Sequence, residues 1–261
     1  MLNQNQISKI LEIAKEAGDV ILPYFENQKK LNIEIKNDNS PVTEADLAAN
    51  DLIITKLNKN FPKTSIISEE KTIEENLKAA KQKTFFIIDP LDGTKAFINK
   101  SGEFTVNIAL IENFKVIFGA IYLPIKDLMY FSNHQNKAIK INNFSKENAK
   151  EELINVSKKP NNLRIICTHR QPEKSEILQN LNNKNLQVDE IISINSSYKF
   201  CLIAEGAADY YPRKANICGW DIAAGHAIVK AAGGNVFIEN SKEELTYQFA
   251  KDFKMPFFQC F

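Results

Sequence analysis

The stretch Phe85-Phe86-Ile87-Ile88-Asp89-Pro90-Leu91-Asp92-Gly93-Thr94 decides how the rest of the sequence is interpreted. Its four leading apolar residues predict a short buried strand, and Asp-Pro followed by Asp-Gly predicts a bend. Pro90 fixes its own φ and restricts Asp89, so two carboxylates leave the strand on a stiff turn. Gly93 lets a ligand approach the backbone, and Thr94 is predicted to begin a short helix with outward-facing N–H groups. Carboxylates held in this way suit a hard divalent cation, although a hairpin turn with solvated acids has the same pattern.

Composition excludes several classes of protein. The 261 residues are 44% hydrophobic, which allows one large domain or two packed lobes. A net charge of +1 provides no basic surface for a nucleic acid polymer. There is no signal-peptide pattern and no apolar run of membrane-spanning length. The four cysteines are widely separated, which favours free thiols in a cytoplasmic protein, and the three histidines lack zinc-ligand spacing.

The first half of the chain combines two helices with a series of strands. Apolar spacing predicts a helix over 7–25 and alternation predicts a strand over 31–36. Thr43 is predicted to cap a helix that continues to Leu57, with Asp46 in its first turn. A strand over 64–67 ends in Ser68-Glu69-Glu70, so carboxylates follow a second strand. Beyond the opening stretch, four antiparallel strands are expected at 105–111, 116–124, 127–131 and 137–141.

Strands and helices alternate in the second half, which predicts an α/β lobe. The expected strands are 163–167, part of 186–194, 208–212 and a final one at 235–238, and the expected helices are 172–181, 196–205 and 221–232. We place an N-terminal α+β lobe at residues 1–145 and a C-terminal α/β lobe at 146–261. Asp221 begins the last helix, where helix capping would be its ordinary role.

Acids thus occur at strand ends or helix starts in four segments, which contain Asp38 and Asp46, Glu69, Asp89 and Asp92, and Asp221. Together with Trp220-Asp221-Ile222-Ala223-Ala224-Gly225, they closely resemble the motifs of the inositol monophosphatase superfamily of magnesium-dependent, lithium-sensitive phosphomonoesterases. The match covers nearly the whole chain. The resemblance implies a layered αβαβα sandwich with a metal site between the lobes.

Within that superfamily the chain most resembles the bacterial 3′(2′),5′-bisphosphate nucleotidases. The resemblance rests on Asp38-Asn39-Ser40-Pro41-Val42-Thr43, Gly93-Thr94-Lys95, residues 102–111, residues 196–202 and Tyr211-Pro212-Arg213. It implies hydrolysis of the 3′-phosphate of adenosine 3′,5′-bisphosphate to AMP and phosphate. Two positions depart from the usual pattern. Ala96 follows Lys95 where the family often has Glu, and Asn195 precedes Ser196 where the family usually has Gly.

The resemblance also implies a role for each acid. Glu69, Asp89 and the Leu91 carbonyl would hold one magnesium, and Asp89, Asp92 and Asp221 a second, with Asp89 bridging. The resemblance also allows a third, weaker ion near Glu69. Asp46 would act through metal-bound water, while Asp38 with Thr94 would deprotonate the attacking water. The amides of Gly93 and Thr94 would bind the transferring phosphate. The implied substrate contacts are Glu69, Leu91, Asp92, Gly93, Thr94, Asp221 and, for the nucleotide and its 5′-phosphate, His169, Ser196, Lys199 and Arg213.

Two other functions stay open at this level. The first is an inositol monophosphatase or another sugar-phosphate phosphatase, and the second is a non-catalytic nucleotide sensor. Lys199 and Arg213 favour a substrate with a second phosphate, which inositol monophosphate lacks. We expect a monomer or homodimer in the cytoplasm. The resemblance also allows peripheral association with the cytoplasmic face of the inner membrane.

Overall fold

The computed structural model describes residues 2–27, 33–35, 41–158, 162–168, 179, 187–214 and 217–261. Within these ranges the helices are α1 Gln4–Glu26, α2 Glu44–Asn60, α3 Ile73–Ala80, α4 Thr94–Ile98, α5 Tyr198–Ala204 and α6 Gly219–Ala231. The strands are β1 Ile33–Ile35, β2 Pro41–Thr43, β3 Ser65–Ser68, β4 Thr84–Asp92, β5 Thr105–Glu112, β6 Lys115–Leu123, β7 Leu128–Ser132, β8 Ala138–Asn142, β9 Lys150–Ile154, β10 Asn162–Cys167, β11 Gln187–Ser193, β12 Tyr211–Arg213, β13 Val236–Ile238 and β14 Phe258–Cys260.

A seven-stranded sheet with the order β3-β4-β5-β6-β7-β8-β9 forms the centre of the molecule. β3 pairs with β4 in parallel, and every following neighbour is antiparallel. The four antiparallel strands predicted after the opening stretch are therefore confirmed. β9 continues the same sheet beyond residue 145, and its charged, exposed sequence explains why no strand was expected there. The division into two lobes at residue 145 stays a prediction.

Strand β4 is buried on both faces, which is why its sequence is continuously apolar. Phe86 and Ile88 point into a core shared with α1 and α2, whereas Phe85 and Ile87 point into a second core shared with α5 and α6. Successive side chains of a strand alternate between faces, so one apolar run supplies both cores. The opening stretch therefore fixes the sheet between two helical layers.

A further β layer covers α5 and α6 on the side away from the central sheet. It contains the parallel pair β10–β11 and the antiparallel sheet β12-β14-β13. Phe200 of α5 packs against Tyr211 and Phe258 of this layer, with ring centroids 5.3 and 5.9 Å apart. The described residues thus form layers in the order helix, sheet, helix and sheet, which are four of the five layers of the predicted αβαβα sandwich. The helix predicted over 172–181 lies outside the described residues.

One element prediction is wrong. The strand at Val236–Ile238 is not the last, because β14 follows it and lies between β12 and β13. Three residues near the end of the chain carry too little periodicity to be recognised. Among the described helices, none combines the length and apolar character needed to cross a membrane.

Candidate metal centre and substrate cavity

The predicted bend is present at the end of β4, and residues 89–94 are called the metal turn below. The pairing of β4 with β5 shifts register between Asp89 and Asp92, which places Pro90 in a bulge where its missing N–H does no harm. The Leu91 N–H donates to Asp89 Oδ1 at 3.0 Å and stiffens the turn. Gly93 adopts φ 96°, a conformation that favours glycine, and α4 begins directly after it. Two acids are thus presented on a rigid backbone.

Three carboxylates converge at this turn. Oxygens of Glu69, Asp89 and Asp221 lie within 4.8 Å of one another. Parallel pairing of β3 with β4 brings Glu69 there, and its N–H donates to the Ile88 carbonyl at 3.3 Å. Asp221 arrives from the first turn of α6, where its Oδ2 accepts from the Cys218 N–H at 2.7 Å. The helix begins two residues earlier than predicted, so Cys218 is its N-cap residue and Asp221 is the third helical residue, whose side chain bonds the N–H of that cap residue.

The carboxylates of this cluster are buried and repel one another, so a bound cation would stabilise them. Asp89 is only 1% exposed, and its Oδ2 has no hydrogen-bond partner among the described residues. Burial raises the pKa of Asp89 well above its ordinary value, and the charges of Glu69, Asp92 and Asp221 raise it further. Burial also raises the pKa of Asp221, and the charges of Asp92 and Glu69 raise it further. Buried like charges are costly without a counter-ion, and an all-oxygen donor set suits Mg²⁺. The residues present therefore fit the implied metal.

Asp92 lies at the edge of the cluster and is held by protein donors. Its Oδ2 accepts from the Ser197 N–H, from Asn107 Nδ2 at 3.3 Å and from Thr105 Oγ1 at 3.4 Å. Burial raises the pKa of Asp92, and the ammonium of Lys199 opposes that shift. Because all three donors use Oδ2, Oδ1 is the oxygen that could face a cation.

The hydroxyl of Thr94 bonds the carboxylate of Asp46 in α2. This hydroxyl lies 3.1 Å from Asp46 Oδ1 and 3.3 Å from the Leu91 carbonyl oxygen. The other oxygen of Asp46 accepts from the N–H and hydroxyl of Thr43 at 2.8 and 2.6 Å, the predicted cap. Burial raises the pKa of Asp46. Asp38 lies outside the described residues, so the Asp38–Thr94 pair stays a prediction.

A cavity of about 390 Å³ opens over the metal turn. Of the predicted site residues, it is lined by Glu69, Asp92, Gly93, Thr94, Ser196, Lys199, Arg213 and Asp221. Burial lowers the pKa of Lys199 to about 8, and its ammonium lies 5.6 Å from the centre of the Tyr211 ring. His169 lies outside the described residues. Carboxylates and cations therefore share one cavity.

Other residues also line the cavity, and none of them was predicted to be a site residue. These are Lys95, Ala96, Thr168, Asn195, Ser197, Phe200, Tyr211 and Ile217. Ala96 and Asn195 were marked as departures from the family pattern, and Lys95 and Tyr211 stand inside the quoted motifs. Thr168 carried no signal, because a single Thr after a strand has no distinctive spacing.

Comparison with known proteins agrees with this geometry. A model of the inositol monophosphatase family matches residues 3–250. The 3′(2′),5′-bisphosphate nucleotidase CysQ of Buchnera aphidicola subsp. Acyrthosiphon pisum is 40% identical over 233 residues, which cover 89% of this chain and 84% of that protein. The protein of the same name from Escherichia coli strain K12 is 39% identical over 231 residues, 88% of this chain and 89% of that protein.

Solved structures show the same relationship. A crystal structure of CysQ from Bacteroides thetaiotaomicron, described as a bacterial member of the inositol monophosphatase family, matches with a TM-score of 0.82 at 34% identity and covers 98% of this chain and 97% of that one. The Thermotoga maritima IMPase shares the fold, with a TM-score of 0.78 at 23% identity. With its acids gathered at the end of β4 and this likeness along nearly its whole length, the chain belongs to the inositol monophosphatase family.

Proposed function

We propose that this protein is a Mg²⁺-dependent, lithium-sensitive phosphomonoesterase that hydrolyses the 3′-phosphate of adenosine 3′,5′-bisphosphate to AMP and phosphate. One observation carries the substrate assignment. The cavity over the carboxylate cluster is also lined by Lys199 and Arg213, two cations suited to a second phosphate. The names of the CysQ relatives support the same assignment. A cyclitol monophosphate would leave these cations without a substrate group to bind.

The chain's own residues would hold two magnesium ions. The ligands we propose are Glu69, Asp89, Asp221, Oδ1 of Asp92 and the carbonyl oxygen of Leu91, with any third, weaker ion near Glu69. Asp89, whose buried Oδ2 has no hydrogen-bond partner among the described residues, would have that oxygen available as a ligand. Bound Mg²⁺ supplies an acidified water and stabilises charge on the leaving oxygen.

Asp46 and Thr94 would prepare the attacking water. When the Thr94 hydroxyl donates to Asp46 Oδ1, its lone pairs are free to accept a proton of a neighbouring water. Because burial raises the pKa of Asp46, its carboxylate is a stronger base than an ordinary aspartate. The N–H groups that follow Gly93 would bind the phosphate oxygens as negative charge develops. Asp38 keeps its predicted role beside Thr94 as a prediction.

A phosphate-release panel tests this function. With Mg²⁺ present, kcat/KM for adenosine 3′,5′-bisphosphate should exceed that for inositol 1-phosphate and fructose 1,6-bisphosphate, and EDTA should abolish release. Faster hydrolysis of inositol 1-phosphate would assign the protein to the inositol monophosphatases instead. Tight nucleotide binding without phosphate release from any substrate would make it a sensor.

Lithium provides a second test. Li⁺ is close to Mg²⁺ in size and carries half its charge, so it should enter the oxygen cage of Asp89, Asp92 and Asp221 yet stabilise the leaving oxygen less. We expect uncompetitive or mixed inhibition against the nucleotide and competition with Mg²⁺, while Na⁺ at equal concentration has a much weaker effect. Steady-state kinetics over a grid of substrate and Li⁺ concentrations measures this. Purely competitive inhibition against the nucleotide would contradict the assigned second site.

A further inference from the structure

The segment that carries the proposed second-phosphate contacts is bonded to the metal turn and to β5. This segment, residues 195–199, consists of a short loop and the first two residues of α5, and is called the substrate loop. The Ser197 N–H donates to Asp92 Oδ2, and the Ser197 hydroxyl donates to Asn107 Oδ1 at 2.7 Å. The Lys199 ammonium folds back onto the Ser196 carbonyl. The position of Lys199 is therefore coupled to the path of this short loop.

That path is conformationally unfavourable at one residue. Ser196 adopts φ 55°, in the left-handed region that non-glycine residues occupy at a cost. Ser196 is also buried, with 7% of its surface exposed. The bonds of Ser197 fix the backbone on the C-terminal side of Ser196. A strained loop persists only if its other end is held as well.

Glu103 holds the other end. A single carboxylate oxygen, Oε2, accepts from the Asn195 N–H at 3.1 Å and from Asn195 Nδ2 at 2.8 Å. Both bonds are charge-assisted, and both belong to a residue 92 positions away along the chain. Glycine, the residue expected at position 195 from the family pattern, could make only the first of them.

The backbone of Glu103 also touches the metal turn. Its carbonyl oxygen lies 3.0 Å from the point where a Cβ on Gly93 would stand, and the Cβ of Ser196 lies 3.3 Å from the same point. The metal turn, Glu103 and the substrate loop are thus in mutual contact at one place. Only the backbone of Glu103 approaches the metal turn, whereas its side chain bonds Asn195, so a side-chain substitution at Glu103 acts on the substrate loop.

We propose that Glu103 and Asn195 are positioning residues that set the affinity for the second phosphate, an inference that rests on the proposed function. The Glu103–Asn195 pair holds the substrate loop so that Ser196 and Lys199 face the cavity. Neither residue would take part in proton transfer or metal binding. Loss of the pair should weaken binding of the bisphosphate and leave the chemistry at the metal turn largely intact.

Three variants and one control test this inference. Glu103→Ala removes both bonds, Asn195→Ala removes the side-chain bond alone, and Glu103→Gln keeps an oxygen that can accept. Glu112→Ala, at the exposed end of β5, is the matched control. Steady-state kinetics use adenosine 3′,5′-bisphosphate and adenosine 3′-monophosphate, which lacks the second phosphate. Thermal melting confirms that each variant is folded.

For Glu103→Ala we expect KM for the bisphosphate to rise about tenfold, the size expected for losing charge-assisted hydrogen bonds, with kcat within about twofold. Asn195→Ala should give a smaller rise, and Glu103→Gln should recover most of the loss. kcat/KM for the monophosphate should not change. The double variant Glu103→Ala, Asn195→Ala should be no worse than Glu103→Ala alone, because the two residues act as a pair.

Hydrogen exchange separates this inference from the proposed function. In Mg²⁺-bound protein without substrate, the amides of Asn195 and Ser197 should exchange faster in Glu103→Ala than in the wild type and the Glu112→Ala control. Unchanged exchange would overturn the positioning role, whatever the substrate. An unchanged KM, or equal losses on both substrates, would overturn the role in second-phosphate affinity. A wild type inactive on the bisphosphate would refute the proposed function, while exchange would still decide the positioning role.

Discussion

At the scale of single residues, Asp89 is expected to affect both activity and the stability of the metal-free protein. It is buried, one oxygen stiffens the metal turn through the Leu91 N–H, and the other has no partner among the described residues. The pKa of Asp89 is raised because its negative charge is buried next to other carboxylates, which costs free energy when no cation is bound. Activity and apo stability should therefore respond to substitution in opposite directions.

Asp89→Asn tests this. The variant should lose at least about a thousandfold in kcat, because an amide cannot provide the charge that holds and bridges cations. Its melting temperature in EDTA should equal or exceed that of the wild type, since the repulsion among clustered acids is reduced. Mg²⁺ should raise the melting temperature of the wild type and have little effect on the variant. A lower apo melting temperature in the variant would contradict the electrostatic account.

Lys199 predicts a pH dependence of binding. With a pKa of about 8, lowered by burial, the ammonium is charged below that pH and becomes neutral above it. KM for adenosine 3′,5′-bisphosphate should therefore rise as pH increases from 7 to 9.5. Lys199→Arg should flatten that rise because guanidinium stays charged, whatever its KM at pH 7. Parallel KM curves for the two proteins would show that another group titrates.

At the scale of elements, the edge strand β3 explains how Glu69 is placed. β3 has β4 on one side, and on the other side Asn76 of α3 takes the role of a neighbouring strand. The Ser68 N–H donates to Asn76 Oδ1 at 3.0 Å, and Asn76 Nδ2 donates to the Ser68 carbonyl at 2.7 Å. The Ser68 hydroxyl donates to Asn50 of α2 at 2.6 Å. Glu69 follows directly, so the buried amide side chains of Asn50 and Asn76 fix the backbone just before this proposed metal ligand.

Asn76→Ala tests whether the bonds at Ser68 hold Glu69 in place as well as stabilising the fold. The variant leaves the N–H of buried Ser68 without its Asn76 partner, while the Ser68 carbonyl keeps the Lys71 N–H at 3.2 Å. This loss should cost about 1–3 kcal/mol of folding free energy, measured by urea unfolding. The Mg²⁺ concentration for half-maximal activity should rise several-fold as Glu69 loses its fixed position. Asn60→Ala, which removes a bond at the exposed end of α2, is the control and should change neither quantity. Lost stability with unchanged Mg²⁺ dependence would limit Asn76 to a structural role.

At the scale of the whole molecule, α6 joins the layers to the site. Its first turn carries Asp221, and its middle lies so close to the central sheet that a Cβ on Gly119 would stand 2.3 Å from the Ala224 carbonyl oxygen. Further along, His226 is buried and contacts the Tyr247 hydroxyl at 3.0 Å and Glu244 at 3.2 Å, while Glu244 also pairs with Lys230. The helix that carries the proposed metal ligand Asp221 thus also carries a buried titratable group.

His226 predicts how stability depends on pH. Burial lowers its pKa in the folded state, although Glu244 opposes that shift. Below the unfolded value near 6.5, the unfolded chain binds a proton that the folded chain resists, so stability present above pH 6.5 is lost as pH falls. The pKa of Glu244, lowered to about 2, adds its own loss only below about pH 4.5.

We therefore expect the melting temperature in saturating Mg²⁺ to fall between pH 7.5 and 5.5 more steeply for the wild type than for His226→Gln. His134→Gln, at an exposed histidine, should keep the wild-type slope. Equal slopes in all three proteins would mean that His226 does not contribute. Monomer or homodimer, cytoplasmic location and the two-lobe division stay predictions at this scale.

The sequence by itself determined the local features. The run Phe85–Ile88 predicted β4, Asp-Pro and Asp-Gly predicted its bend, and Thr43 with Asp46 predicted the start of α2, because periodicity, turn chemistry and capping act between residues close in the chain. The family motifs then named the acids of the cluster. The sequence did not predict strands β9 and β14, because β9 is rich in charged residues and β14 has only 3 residues, so neither shows a clear alternation of apolar side chains.

Only the tertiary structure decided which groups meet. Thr94 bonds Asp46 from 48 residues away, Asp92 is held by Ser197, and Glu103 holds Asn195. Glu69, Asp89 and Asp221 converge because β3 pairs beside β4 and α6 packs close against β6. These contacts depend on strand register and on how closely a helix can approach the sheet. Such quantities arise from packing over the whole core, and no short stretch of sequence contains them.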